Sequence, residues 1–139
     1  MTSPPQPPPA PPPPPPGGAA PPPGYANGEE KTWALVAHFG GGAGMLILGG
    51  MFGWVAPLIA LVAKGKESPT VRAHAVQALN FQLTWSIVGL LGWLTLCLVI
   101  GALLLPAAIV VSVVFSIIAG IKANDGHLYN YQLAIKMVK

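Results

Sequence analysis

The sequence predicts an all-α fold, a small polytopic membrane helical bundle of three to four membrane helices. A short C-terminal interfacial helix and a disordered proline-rich N-terminal tail complete it. Three observations lead there. The stretch from Trp33 to Ile121 is almost continuously apolar, charged residues are 8% of the chain against 53% hydrophobic, and the mean hydropathy is +0.59. A water-soluble fold needs a charged surface that this chain lacks. The bases inside the apolar stretch, Lys64, Lys66 and Arg72, form one short island, as membrane-flanking charges do.

A chain of 139 residues with a polar tail leaves room for the membrane helices and no separate soluble domain, which excludes a large catalytic domain. The net charge of +3 reflects seven Lys and Arg residues that fall at the ends of apolar segments, so nucleic acid is not the expected partner. Cys97 is the only cysteine; it permits no internal disulfide, and its place in an apolar run predicts a small buried hydrophobe.

All but Pro57, Pro69 and Pro106 of the 17 prolines precede Gly24. Residues 1–28 therefore read as a tail with polyproline II character, without the basic region and apolar core of a signal peptide. The helical membrane domain is assigned to residues 29–139. Pro22-Pro23-Gly24-Tyr25 fits a Pro-Pro-x-Tyr pattern of the kind that WW domains read, which makes a soluble partner one reading of the tail and a simple spacer the favoured one.

Glu29 and Glu30 suit the positive end of a helix dipole, and Trp33 supplies an interfacial anchor, so a helix starts here. One straight helix from Trp33 to Ala63 would be about 46 Å long, beyond a hydrocarbon core of about 30 Å. Gly49-Gly50 is the natural break, giving helices over roughly 31–48 and 51–64, with Pro57 a kink point in the second. The Gly-x-x-x-Gly spacings Gly40/Gly44 and Gly49/Gly53 predict close helix packing; neither is followed by the Lys and Ser/Thr of a phosphate loop.

Ser68 and Pro69 predict a helix start, with Ser68 as N-cap and Pro69 in the first helical position. Along this third helix a polar stripe that includes His74, Gln77, Asn80 and Thr84 keeps within about 120° of one face. The apolar run from Trp85 then reverses between Gly101 and Pro106 and returns to Lys122. Asn124-Asp125-Gly126 reads as a helix stop. Leu128, Tyr131, Ile135 and Val138 recur at the spacing of a short interfacial helix.

The bases Lys64, Lys66, Arg72, Lys122, Lys136 and Lys139 fall on one side of the bilayer, which the positive-inside rule makes cytoplasmic. The expected location is the plasma (inner) membrane, multi-pass, with the C-terminus and the 64–74 loop inside. Residues 31–64 cross either once, with the tail outside, or twice as a hairpin, with the tail inside.

Lys31 to Trp33 leading to His38, Ala56-Pro57-Leu58-Ile59, Lys64, Ser68-Pro69, the block from His74 to Leu83, Lys122-Ala123, and Gly126 with Tyr129-Asn130-Tyr131 carry a resemblance. Residues 29–139 are similar to a family of small bacterial membrane proteins of unknown function, related to the chloroplast inner-envelope import component called the Tic-twenty protein. Relatives often place proline after the second tyrosine, where this chain has Gln132. The resemblance implies four membrane-associated helices, both termini on the cytoplasmic side, hence the hairpin for 31–64, and no catalytic activity.

Polar groups in hydrocarbon are costly unless paired, so His74, Gln77 and Asn80 must face the bundle interior, a cavity or a partner helix. Interhelical hydrogen bonding, with His38 of the first helix as the matching group, is the favoured role. Two histidines without a carboxylate or thiolate make an incomplete metal site, and no cofactor is expected. A non-enzymatic structural or accessory subunit of a larger membrane complex fits these features best, with the lipid bilayer and other membrane subunits, or further copies in a homo-oligomer, as the expected partners. The alternative is an oligomeric channel or a protein-translocation component. Paired carboxylates and a Ser/His/Asp set are absent from the sequence.

Overall fold

A hydrogen-bonded junction at one end ties the first helix to the third. In the computed structural model, which describes residues 24–139, α1 spans Gly28–Ile47, α2 Val55–Lys64, α3 Pro69–Leu94 and α4 Val99–Asn124. Asn27 caps α1 by accepting from the Glu30 amide at 2.9 Å, and Glu30 accepts from the Ala26 amide in return. The other Glu30 oxygen accepts from the Ser68 hydroxyl at 2.6 Å, while Ser68 caps α3 by accepting from the Val71 amide. One carboxylate thus serves the starts of two helices, where it also meets their positive dipole ends. Lys64, closing α2, joins the same end through ion pairs to Glu29 (2.9 Å) and Glu67 (2.8 Å). Hydrogen bonds that its ammonium donates to Glu67 and to Glu29 hold it above the usual lysine range.

Successive helices run antiparallel: α1 packs on α2, α3 and α4, and α3 packs on α2 and α4. The expected break at Gly49-Gly50 is present, both residues taking left-handed backbone (φ 70° and 85°), with the Gly50 amide bonded to the Met45 carbonyl. The second helix starts at Val55 rather than residue 51, because Phe52 and Gly53 stay irregular against Gly44. Pro57 falls in the first turn of α2, where no intrahelical partner for its nitrogen is required, so it does not act as an internal kink point.

Gly40 and Gly44 lie on α1, pressed against Ala56 and Phe52 respectively. Gly49 and Gly53 lie in the 48–54 connection, so their spacing defines no helix face. Gly89 and Gly92 of α3 make two further close approaches: a Cβ on Gly89 would sit 2.0 Å from the Gly50 carbonyl oxygen, and one on Gly92 2.9 Å from the Leu105 nitrogen.

Three expectations are corrected here. The reversal between the last two helices occupies residues 95–98, and Pro106 lies inside α4. Gly101 is what permits the earlier turn, since a Cβ there would strike the Thr95 carbonyl. Cys97 lies in that turn and is exposed, not buried. Residues 125–139 form no helix; they run as a strap along α3.

Among the described residues α4 is the one helix long and apolar enough to cross a membrane, with mean hydropathy 2.7 over its most apolar window, of which 22% is buried. Its outward surface is therefore hydrocarbon, which a lipid environment accommodates and water does not. The shorter α2 is apolar as well. The proline-rich tail up to Pro23 lies outside the described residues.

Gly89→Ala drives a methyl into the Gly50 backbone and is expected to cost about 1–3 kcal/mol. Thermal unfolding in detergent should show the loss, while Gly28→Ala, whose added carbon meets nothing within 4 Å, should leave the midpoint nearly unchanged.

Candidate functional site

Polar side chains concentrate inside the half of the bundle next to the Glu30 junction, in three connected groups. The first is a row of four rings. The Tyr25 hydroxyl donates to the Ala123 carbonyl and lies 3.4 Å from His74 Nε2; His74 Nδ1 lies 3.0 Å from His38 Nε2; His38 Nδ1 lies 2.9 Å from the Tyr131 hydroxyl. Because Tyr25 spends its proton on Ala123, it accepts from His74 Nε2–H, which leaves His74 Nδ1 bare to accept from His38 Nε2–H. His38 Nδ1 then accepts from Tyr131. For neutral imidazoles every tautomer in the row follows from the first bond. Burial and then the Glu30 charge push the Tyr25 phenol up to about 12, so it stays a donor.

The second group is a buried clamp around Gln82 of α3. Its amide nitrogen donates to Ser116 at 2.7 Å and its oxygen accepts from Ser112 at 2.6 Å, two hydroxyls one turn apart on α4. Space for the amide comes from Gly41 and Gly53, where a Cβ would lie 2.7 and 2.4 Å from Gln82 atoms. α1, the 48–54 connection, α3 and α4 meet at this one side chain.

The third group holds the C-terminal strap. Asn80 Oδ1 accepts from the Met137 and Val138 amides at 2.8 and 2.6 Å, and Nδ2 donates to the Val138 carbonyl at 2.8 Å. Thr84 accepts from the Ile135 amide, Trp85 donates to the Leu133 carbonyl, Gln77 donates to Asn130, and Arg72 donates to the Lys139 main-chain oxygen. The strap climbs α3 to Trp85, about 24 Å from the helix start, and returns. Tyr131 anchors it, stacked on Phe81 at 4.1 Å and edge-on to Tyr129. The interfacial helix expected here does not form because α3 supplies the bonding partners that helical backbone would otherwise have found within itself.

Of the residues singled out in the sequence, His38 and His74 meet each other across α1 and α3, whereas Gln77, Asn80 and Thr84 face the strap, not another helix. Gln82, Ser112, Ser116, Tyr25 and Tyr131 join them in the polar site, a role that the sequence reading does not give to any of the five. Ser112 and Ser116, four residues apart in the apolar stretch of α4 before Lys122, were the readable signal for the clamp. Tyr25 had been assigned to the tail, but in the fold the tyrosine of the Pro-Pro-x-Tyr pattern is seated against Ala123 and His74.

All four ring nitrogens are engaged within the row, and among the described residues no group of three or more His, Cys, Asp or Glu could hold a metal ion. The 170 Å³ cleft at the junction is lined by Glu29, Glu30 and Glu67, whose carboxylates bond to Lys64, Ser68 and Ala26. No catalytic motif appears in either place, and the single cysteine forms no disulfide.

Residues 29–138 match the model of the magnetosome magnetite crystal formation protein family. The chain belongs to that family. The match takes in all four helices and the strap to Val138, and leaves out Tyr25 and the tail. It places the chain among small bacterial membrane proteins, as the resemblance had indicated, and carries no link to plastid import. No curated protein matches the chain, and no solved structure does. Within this family member, the two amides Asn80 and Gln82 mark the part of the fold built from polar groups.

Asn80→Leu removes three strap bonds and leaves two amides and a carbonyl without partners, at a cost on the order of 2 kcal/mol. Amide exchange of residues 135–138 should accelerate while the helices keep their protection. Gln82→Leu, which leaves two hydroxyls able to bond back to their own helix, should cost about 1–2 kcal/mol. Gln82→Glu should cost more by burying a charge, and thermal melts of the two variants give the order.

Proposed function

We propose that the chain is a non-enzymatic, multi-pass membrane protein that serves magnetite crystal formation as a structural or accessory subunit. The observation that carries this reading is internal saturation: among the described residues every buried side-chain nitrogen and oxygen has a hydrogen-bond partner. A core whose polar groups are consumed by one another supports holding a shape rather than passing a substrate. The outward faces are apolar, with Ile47, Val62, Leu94 and Val99 each more than 70% exposed, which suits lipid and neighbouring membrane subunits.

In this reading α1, α3 and α4, about 30, 39 and 39 Å long, cross the bilayer, and α2, about 15 Å, completes a hairpin with α1. The end carrying Lys64, Lys66, Arg72, Lys122 and Lys139 faces the cytoplasm, with the start of α1 and the end of the strap on that side of the inner membrane, while Lys136, between the strap residues bonded to Thr84 and Asn80, lies farther along α3 than its grouping with the other bases predicts. Residues 1–28 serve as a spacer whose last segment is fastened by Tyr25. A soluble partner that docks on the tyrosine must first detach it from Ala123. A channel or translocation component is the second reading; it needs an oligomer and polar groups free to line a path.

Purification from native membranes in mild detergent, followed by quantitative mass spectrometry, tests the proposal. The expected result is a complex of fixed stoichiometry with other membrane proteins, together with a crystal-formation defect in a deletion strain that the wild-type chain restores and the Asn80→Leu chain does not. A homo-oligomer alone, conducting ions or solutes in liposomes, would overturn it.

A further inference from the structure

The strap and the first two turns of α3 enclose an open groove of 310 Å³, lined by Pro69, Arg72, Ala73, Val76, Gln77, Leu128 and Lys139. Its charged lining residues are both cations. Arg72 gives one N–H to the Lys139 main-chain oxygen at 2.8 Å, which brings the two side chains to the same end of the groove. The two ion pairs among the described residues both fall on Lys64, so no carboxylate side chain neutralises Arg72 or Lys139, and the carboxylate that Lys139 carries as the last residue of the sequence still leaves these two cations in excess by one charge. Next to the cations the walls turn apolar through Ala73, Val76 and Leu128, and Gln77 supplies a polar point between them.

Depth accords with this layout. Ser68 caps α3 at the charged end of the bundle, Arg72 follows one turn later and Val76 one turn after that, about 12 Å from the cap. Groups therefore succeed one another along the groove as they do along a phospholipid: anion-binding at the headgroup level, then hydrocarbon. Arginine adds a planar fork of donors that fits a phosphate, and lysine a point charge.

We propose that this groove binds an anionic phospholipid, its phosphate held between Arg72 and Lys139 and the start of an acyl chain lying along Ala73, Val76 and Leu128. The proposal rests on the membrane reading above. Bound there, the lipid bridges α3 to the end of the strap, so membrane composition acts on strap docking. Soluble phosphate offers nothing to the apolar wall and is not the ligand.

The test is reconstitution of the full chain into phosphatidylcholine nanodiscs with and without phosphatidylglycerol, followed by native mass spectrometry of the lipid retained on detergent release. Wild type should retain phosphatidylglycerol in preference to phosphatidylcholine. Arg72→Gln and Lys139→Gln should each weaken retention about fivefold, from loss of one cation near the anionic surface. Lys122→Gln, at the same end but outside the groove, should retain it as wild type does. Phosphatidylglycerol should slow amide exchange of residues 135–138 in wild type, whereas glycerol phosphate in solution should not. Equal retention of the two lipids, unchanged retention in Arg72→Gln, or an equal loss in Lys122→Gln would each overturn the site. Failure of the chain to enter any nanodisc would instead overturn the membrane reading.

Discussion

An irregular backbone segment set against apolar surroundings must find hydrogen-bond partners in its own protein, and Asn80 meets that requirement for the strap. One amide side chain takes two amides and a carbonyl of the strap, doing for it what a neighbouring strand does at the edge of a sheet. Around this bond the other features arrange themselves. The strap can lie against α3 because its polar groups are bound there, Tyr131 can reach His38 because the strap is held, and the ring row continues to Tyr25 through His74. Asn80 thereby connects the end of the chain to the segment that precedes the first helix.

The ring row and the Gln82 clamp handle burial in different ways. In the row each group both gives and receives along one direction, so a second proton on either imidazole has no acceptor without turning its neighbours. In the clamp the amide receives at one end and donates at the other, to two serines whose backbones belong to one helix. Both arrangements keep formal charge out of the core. Apart from Lys136, exposed on the strap, charge gathers at one end, above all at the Glu30 junction and the Lys64 ion pairs.

Much of the helical framework was legible in the sequence. Apolar runs interrupted by Gly49-Gly50 and by Ser68-Pro69 place three boundaries near their positions in the fold, because caps and left-handed glycines act locally. The last reversal was not legible, since Gly101 works through contact with Thr95, and proline is a poor guide to a turn when it can also sit inside a membrane helix. The strap misled for a related reason. Leu128, Tyr131, Ile135 and Val138 have helical spacing, yet α3 offers its backbone better partners than a lone short helix would have. In the candidate site the histidines and Asn80 were legible as polar groups in apolar sequence. Tyr25 was not, because it lay beside the proline run, and neither was the Gln82 clamp, because Gln82 stood outside the stripe.

The shortness of α2 gives the molecule a taper. Its ten residues pair with α1 only from Glu29 to about Gly40, and the strap climbs no farther than Trp85, so four helices and a strap fill one end while towards the other only α1, ending in the turn at Gly49 and Gly50 against Trp93 and Gly89, accompanies α3 and α4. Seated across a bilayer, such a body takes up more area in the leaflet at its wide end than in the opposite one. Many copies side by side would fit a curved sheet better than a flat one, bulging towards the side that carries the basic residues.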